Sequence, residues 1–278
     1  MMKKKGKHNA YWIYGKHSVV AAMHNPAREK KMLVMTKYAT RFLHETSTTF
    51  NNIPHTIVET VQEFRFVTGM RGDVVHQGIA LRSVPLKQMC LEEFLEMKSK
   101  NNKAFSVILL DKVTDPYNIG AIIRSCAAFG VSAVITTRID SPDEMPIILK
   151  VSCGGFEKVS YIKVSNLVQA INTLKMFGFI VVGLSSNGEK EIDAIYRDIA
   201  TIGMMDNVAL VFGNEEVGMR VSTEKSCNFI AKIGMNEELN MPSINVSNAG
   251  AIVLYTSWLY RQKHAINVLE CREETYCK

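Results

Sequence analysis

The 278-residue chain is short of several things, and each shortage removes a class of protein. No apolar run reaches the roughly 18 residues that span a bilayer, so no membrane segment is expected. The N-terminus (MMKKKGKHNAYW) is basic but lacks the apolar stretch of a secretory signal. A cytoplasmic location follows as the expectation. Six cysteines are scattered at 90, 126, 153, 227, 271 and 277, without a C-x-x-C pair. Nothing in their spacing, or in that of the histidines, resembles a zinc site, so reduced thiols and no metal are expected. Histidine is confined to positions 8, 17, 24, 44, 55, 76 and 264, leaving none between 104 and 262. Neither a Ser-His-Asp nor a Cys-His arrangement is suggested. Chemistry in that region has to rest on Arg, Asn, Glu and Ser. That disfavours hydrolysis and favours positioning of a reactive cosubstrate.

What is present is enough for a sizeable core. Apolar residues make up 47% of the chain, and the length allows one large domain or two ordinary ones. The net charge of +6 is compatible with an anionic partner such as RNA without demonstrating one. The run Lys3-Lys4-Lys5-Gly6-Lys7 reads either as a solvated end or as a phosphate-contacting arm.

The pattern divides the chain. Residues 11–84 read as a small α/β layer. It has strands at 30–35, 56–59 and 77–82, a turn and helix over 14–23, and a helix over 40–49. Residues 85–103 read as a linker with a short helix over 90–98. Residues 104–262 alternate strands with helices: strands at 106–110, 133–137, 179–184, 208–212 and 229–233, helices near 145–151, 167–177 and 249–261. Continuous apolar strands of this kind predict a mostly parallel sheet covered on both faces, with ligands outside the carboxyl ends of its strands. Residues 263–278 read as a polar tail.

Three polar junctions follow strands in the larger region. In the first (115–125, DPYNIGAIIRS), Pro116 keeps out of the helix interior, Asn118 is a candidate N-cap, and Ile119, Ile122, Ile123 and Cys126 form an apolar stripe. Gly130 suits the helix end. Arg124 lies off the stripe. It is either a surface or ion-paired arginine, or a fixed cation for a phosphate or carboxylate. In the second (212–219, FGNEEVGM), Gly213 lets backbone approach a ligand, and Glu215 or Glu216 can bond one or simply face solvent. The segment is neither a Walker loop nor G-x-G-x-x-G. In the third (242–249, PSINVSNA), Ser243, Asn245, Ser247 and Asn248, with Asn240 just before, supply more polar groups than one helix cap needs.

Together, in order and spacing, these segments resemble the three motifs of the SpoU (TrmH-type) RNA 2'-O-ribose methyltransferases of the SPOUT superfamily. Two N-terminal stretches, IYGKHSVVAAM (13–23) and VVHQGIAL (74–81), resemble that family's ribosomal-protein-like substrate-binding domain. The arrangement is most similar to the bacterial enzymes that methylate a guanosine ribose of 23S rRNA. The resemblance implies a trefoil-knotted methyltransferase domain, S-adenosyl-L-methionine as cofactor, and a homodimer. It assigns catalysis to Arg124, Asn118, Glu215, Ser243 and Asn245, with Arg124 activating the ribose hydroxyl. Backbone at Gly213, Ile233 and Ile244 would line the cofactor pocket, and Ser247 and Asn248 would be plain caps. A tRNA ribose methyltransferase and a non-catalytic RNA-binding protein of the same fold are the alternatives. A dinucleotide enzyme is disfavoured by the missing glycine fingerprint.

Departures from the family pattern are few. The second motif has Asn214 and Glu216 where relatives often have Ala and Gly, and Asn248 replaces a common apolar residue.

Overall fold

The computed structural model describes residues 10–100, 105–202, 207–236, 238, 241 and 243–276, with side chains as far as 263. The basic N-terminal run, Asn240 and Pro242 therefore lie outside the described residues. The chain forms two compact units, Met1–Lys87 with Glu144–Lys158, and Gln88–Asp143 with Val159–Lys278.

The first unit is built on a four-stranded mixed sheet of β1 (Tyr11–Tyr14), β2 (Lys30–Thr36), β3 (His55–Val58) and β4 (Ile79–Ser83), in the order β1-β4-β2-β3. Its helices are α1 (Lys16–His24), α2 (Lys37–Glu45) and α3 (Val61–Thr68). Thr36 caps α2 and Thr60 caps α3 through their hydroxyls. Phe64 of α3 packs with Val34, Val58 and Ala80 as a small core. β1 and α3 were not separated out in the sequence, because each is short and has mixed polarity.

The unit borrows a segment from the middle of the chain. Sequence patterning places 144–158 in the larger region, whereas it packs with the first unit as α6 (Pro146–Val151) and one 3-10 turn (Gly155–Glu157). The cause is ionic. Arg28, whose side chain is fully buried, pairs with Glu144 and, at 2.6 Å, with Glu157. Tyr11 also donates to Glu144, and the Ser18 hydroxyl donates to the Leu149 carbonyl at 2.7 Å. Stripping one partner from such a buried cluster costs about 3–5 kcal/mol, which is ample to hold the segment in place.

His76 adds a pH dependence to this unit. Its ring is buried and stacks on Phe64 at 4.1 Å, and Nδ1 accepts from the Gly78 backbone at 3.0 Å. Burial, aided by the charges of Arg65 and Lys150, lowers its pKa from the ordinary 6.5. The unfolded chain therefore takes up a proton that the folded chain resists, and stability rises with pH across that window. His76 contributes fully above the unfolded value and loses that contribution as pH falls below it. The melting temperature is expected to drop between about pH 7 and pH 5. The drop should shrink in His76→Gln, and an equal drop in both proteins would assign it to other groups.

The second unit holds a seven-stranded sheet in which every neighbouring pair is parallel. Its strands are β5 (Ser106–Leu110), β6 (Val131–Thr137), β7 (Ser160–Val164), β8 (Ile180–Leu184), β9 (Lys190–Glu191), β10 (Val208–Phe212) and β11 (Phe229–Lys232). Their order is β7-β6-β5-β10-β8-β11-β9. Its helices are α4 (Leu91–Ser99), α5 (Pro116–Ala128), α7 (Leu167–Met176), α8 (Ile192–Thr201), α9 (Val221–Lys225) and α10 (Val246–Tyr276). β5 and β10 are buried at every position, as an apolar run between two helical layers requires. Alternate residues Val107, Leu109, Ala209 and Val211 form one core with Leu95 of α4 and Leu174 of α7.

Two expectations change. The helix read as part of a linker is α4, whose Leu91, Phe94 and Leu95 enter that core. The last helix does not end at Arg261, and α10 runs on to Tyr276. Its early buried positions, Val246, Gly250, Val253, Leu254 and Ser257, form one stripe that packs on α5.

Candidate active site

The chain leaves β5 toward β6 on one side and leaves β10 toward β11 on the other. Neighbouring strands whose connections diverge leave a crevice at their carboxyl ends, the usual ligand site of such sheets. A cleft of about 440 Å³ opens beside it, at the carboxyl ends of β8, β10 and β11. It is lined by Leu184 to Asn187 after β8, Phe212 to Met219 after β10, Ile233 and Met235 after β11, and Ser243, Ile244, Val246 and Ala249 around the start of α10. Its size and mixed lining suit a small polar organic ligand.

The loop after β10 is tightly folded. Asn214 and Gly218 exchange backbone hydrogen bonds of 3.1 and 2.9 Å. The Asn214 side chain accepts from the backbone of Glu216 and Val217 at 2.9 and 3.2 Å, and donates to the Lys112 carbonyl at 3.1 Å. Gly218 turns the loop with φ of 68°. Gly213 is required for a different reason, because a Cβ there would stand 2.3 Å from backbone atoms of Gly218 and Met219.

A second brace lies beneath the loop. Asp111, fully buried just after β5, accepts from the Arg220 backbone at 2.8 Å and from its Nε at 2.7 Å. Arg220 also reaches Asp140, after β6, at 3.3 Å. The bond to Asp111 raises the Arg220 pKa, so the guanidinium stays charged throughout. The brace ties the ends of β5 and β6 to the loop after β10. Lys112, between Asp111 and the first junction, has φ of 59°, a left-handed conformation that few side-chain-bearing residues adopt.

The three junctions then meet through side chains. Asn118 donates to the Glu215 carboxylate, and Asn245 donates to the Asn118 carbonyl oxygen at 3.0 Å. Asn118 is free to do this because it is not the helix cap. Asp115 caps α5 by accepting from the Tyr117 backbone at 3.0 Å, and Pro116 occupies the first turn, where no N–H is needed. The capping roles in the third junction also differ from expectation. Asn245 is the cap, accepting from the Ser247 backbone at 2.9 Å and the Asn248 backbone at 3.4 Å. Ser247 and Asn248 are therefore capped residues, not caps. Asn245 serves both purposes, its oxygen closing the helix and its nitrogen reaching Asn118.

Of the residues expected at the site, Gly213, Glu215, Ser243, Ile233 and Ile244 line the cleft. Asn118 and Asn245 join it through Glu215. Arg124 does not join this network. It is exposed and makes no hydrogen bond or ion pair among the described residues. Six residues separate it from Asn118, which puts it roughly 9 Å further along α5 and about 120° around the axis. Sequence reasoning missed Asp111, Asp140, Arg220 and Asn214. The available signal was a carboxylate directly after the apolar strand SVILL, and the Asn directly after Gly213.

Fold and cleft define an open parallel α/β domain with a built site at the carboxyl ends of its strands. The SpoU rRNA Methylase family profile matches residues 106–255, and this chain belongs to that family. The 23S rRNA (guanosine-2'-O-)-methyltransferase RlmB of Pseudomonas putida is 30% identical over 256 residues, covering 90% of this chain and 96% of the relative. The RlmB of Acinetobacter baylyi is 37% identical over 182 residues, 65% and 69% of the two chains. Among solved structures, the SpoU methyltransferase AviRb from Streptomyces viridochromogenes superposes with a TM-score of 0.72 at 17% identity, covering 95% and 94%. An AdoMet-bound rRNA methyltransferase from Sinorhizobium meliloti gives 0.67 at 18%, covering 90% and 87%.

Proposed function

We propose that this protein transfers a methyl group from S-adenosyl-L-methionine to the ribose 2'-hydroxyl of a guanosine in 23S rRNA. The observation that carries the reading is the side-chain relay of Asn118, Glu215 and Asn245, which joins the three junctions beside the cleft. The cleft fits the cofactor. It has room for a small polar organic molecule, and the glycine at 213 leaves bare backbone along one wall. The backbone of Gly213, Ile233 and Ile244 would hold the cofactor, with Ser243 on the same lining.

When bound, S-adenosylmethionine supplies a methyl group on a sulfonium, which needs little further activation. The remaining demand falls on the protein. A ribose hydroxyl ionises only at high pH, so its attacking oxygen needs a cation beside it as charge develops. Arg124, which pairs with no carboxylate among the described residues, supplies it once RNA brings the ribose to that face of α5. Arg124 would stabilise the oxyanion electrostatically without acting as the base, the hydroxyl proton leaving to solvent as the oxygen takes the methyl group from the sulfonium. Asn118, Glu215 and Asn245 fix the ribose edge for in-line attack.

In this reading the second unit is the methyltransferase domain, its chain knotted at the C-terminal end. The placement of β10 between β5 and β8, with α10 returning onto α5, supports that path. The first unit holds the RNA. The enzyme works in the cytoplasm as a homodimer. Support for the dimer comes from Tyr117 on α5 and Ile252 and Tyr255 on α10, apolar side chains left exposed on adjacent helices.

The test is methylation of RNA from a strain lacking the gene, with labelled cofactor and mapping of the modified ribose. Label at a 23S rRNA guanosine is expected. Label on tRNA would move the assignment to that substrate, and no label on any RNA would leave a binding protein of the same fold.

A further inference from the structure

The two N-terminal stretches singled out in the sequence have no part in the cleft, yet they converge on each other within the first unit. The Lys16 backbone, at the start of α1, donates to the Gln77 side-chain oxygen at 3.0 Å. Lys150 of α6 donates to the same oxygen at 2.9 Å. Gln77 takes φ of 56°, a strained choice for a side-chain-bearing residue. The Lys16 ammonium lies 4.3 Å from the Tyr38 ring centre and 4.8 Å from that of Phe42, both on α2. Tyr38 is 68% exposed, so its ring is open to a partner from solvent. Arg41, one turn on, is exposed beside it.

The charges here are unbalanced. Lys16, Arg41 and Lys150 make no ion pair among the described residues, and the only carboxylate on α2 is Glu45 at its last position. Arg28, buried on the same unit, is held by two carboxylates, whereas these three cations reach water and are free to meet an anionic ligand. An exposed ring flanked by unpaired cations instead meets the two demands of an unstacked nucleotide: a flat face for the base and positive charge for the backbone.

We propose that Tyr38, Lys16, Arg41 and Lys150 form a holding site for a single-stranded stretch of the RNA substrate, Tyr38 stacking on an unpaired base while the three cations meet the flanking phosphates. This deepens the RNA methyltransferase reading and rests on it. The site is sequence-tolerant, since every base offers a stacking face. It selects unpaired RNA over duplex.

The test compares the full-length protein with Tyr38→Ala, Tyr38→Phe and the double variant Lys16→Gln/Arg41→Gln. The probes are a labelled RNA hairpin with an unpaired loop and a blunt duplex of the same stem. Tyr38→Ala is expected to weaken hairpin binding roughly tenfold and to leave duplex binding alone, and Tyr38→Phe to retain it. The double variant should lower the salt dependence of binding by about one to two charges. With RNA as methyl acceptor, KM for RNA should rise while kcat and cofactor affinity hold. Equal hairpin binding by Tyr38→Ala and the parent overturns the site, as does equal loss on hairpin and duplex. A parent protein that methylates RNA while the variants bind normally sinks only this site. A parent that neither binds nor methylates RNA sinks the functional reading beneath it.

Discussion

Arg124→Ala is expected to lower kcat about a thousandfold while leaving cofactor affinity and melting temperature where they were. Removing one preorganised group that meets developing negative charge costs about a hundred- to a thousandfold, and a full positive charge belongs at the upper end. That equals about 4 kcal/mol of lost transition-state stabilisation. The structure supplies the other half of the expectation. Arg124 is exposed and makes no hydrogen bond or ion pair among the described residues, so its removal breaks nothing in the resting protein. Surface changes of that kind stay within about 0.5 kcal/mol of the parent stability. Arg124→Lys separates charge from shape. A point charge on a flexible stem should recover part of the rate, and the loss of the planar fork should keep it from full recovery. Isothermal titration with the cofactor, thermal melts and single-turnover methyl transfer read the three quantities separately. An Arg124→Ala protein with weakened cofactor binding and normal single-turnover transfer would make the residue part of the pocket and remove it from the chemistry.

The same residue shows how far the sequence reaches. Arg124 stood out as a cation in mid-helix, off the apolar stripe, and its exposure in the structure agrees with that position. The strands of the parallel sheet were legible for a similar reason. SVILL and VALVF have no polar face, and only burial on both sides accommodates them. Local caps were less legible. Asp115, Asn118, Asn245 and Ser247 all have the chemistry to cap, and which one does so depends on the turn entering the helix. The brace from Arg220 to Asp111 and Asp140 joins residues 109 and 80 positions apart. No local pattern encodes such a pairing. Nor does patterning show that 144–158 leaves the larger region to cover Arg28. That depends on one buried guanidinium finding two distant carboxylates.

Gly213→Ala is expected to abolish measurable cofactor binding, with affinity lower by about a hundredfold or more, while the protein stays folded. A Cβ at this position would stand 2.3 Å from the Gly218 carbonyl carbon and the Met219 nitrogen, and 2.7 Å from the Gly218 oxygen. All three are backbone atoms, so no side-chain rotation relieves the clash. The loop has to move by about an ångström to restore ordinary contact, and its paired hydrogen bonds between Asn214 and Gly218 move with it. Overpacking of this kind costs about 1–3 kcal/mol of stability, which a protein of ordinary stability survives. The cleft is more sensitive, because Gly213 to Met219 form one of its walls and Glu215 holds Asn118 from the same loop. Gly218→Ala is the control. Its Cβ would meet nothing within 4 Å, and its cost is the left-handed φ of 68°. That strain is worth roughly 1–2 kcal/mol and leaves the wall in place, so binding should fall by no more than about tenfold. Calorimetric titration of both variants, with urea melts for stability, distinguishes wall displacement from strain. If Gly213→Ala bound the cofactor as tightly as the parent, the cofactor would have to lie elsewhere than against this loop. The relay through Glu215 would then need a different partner.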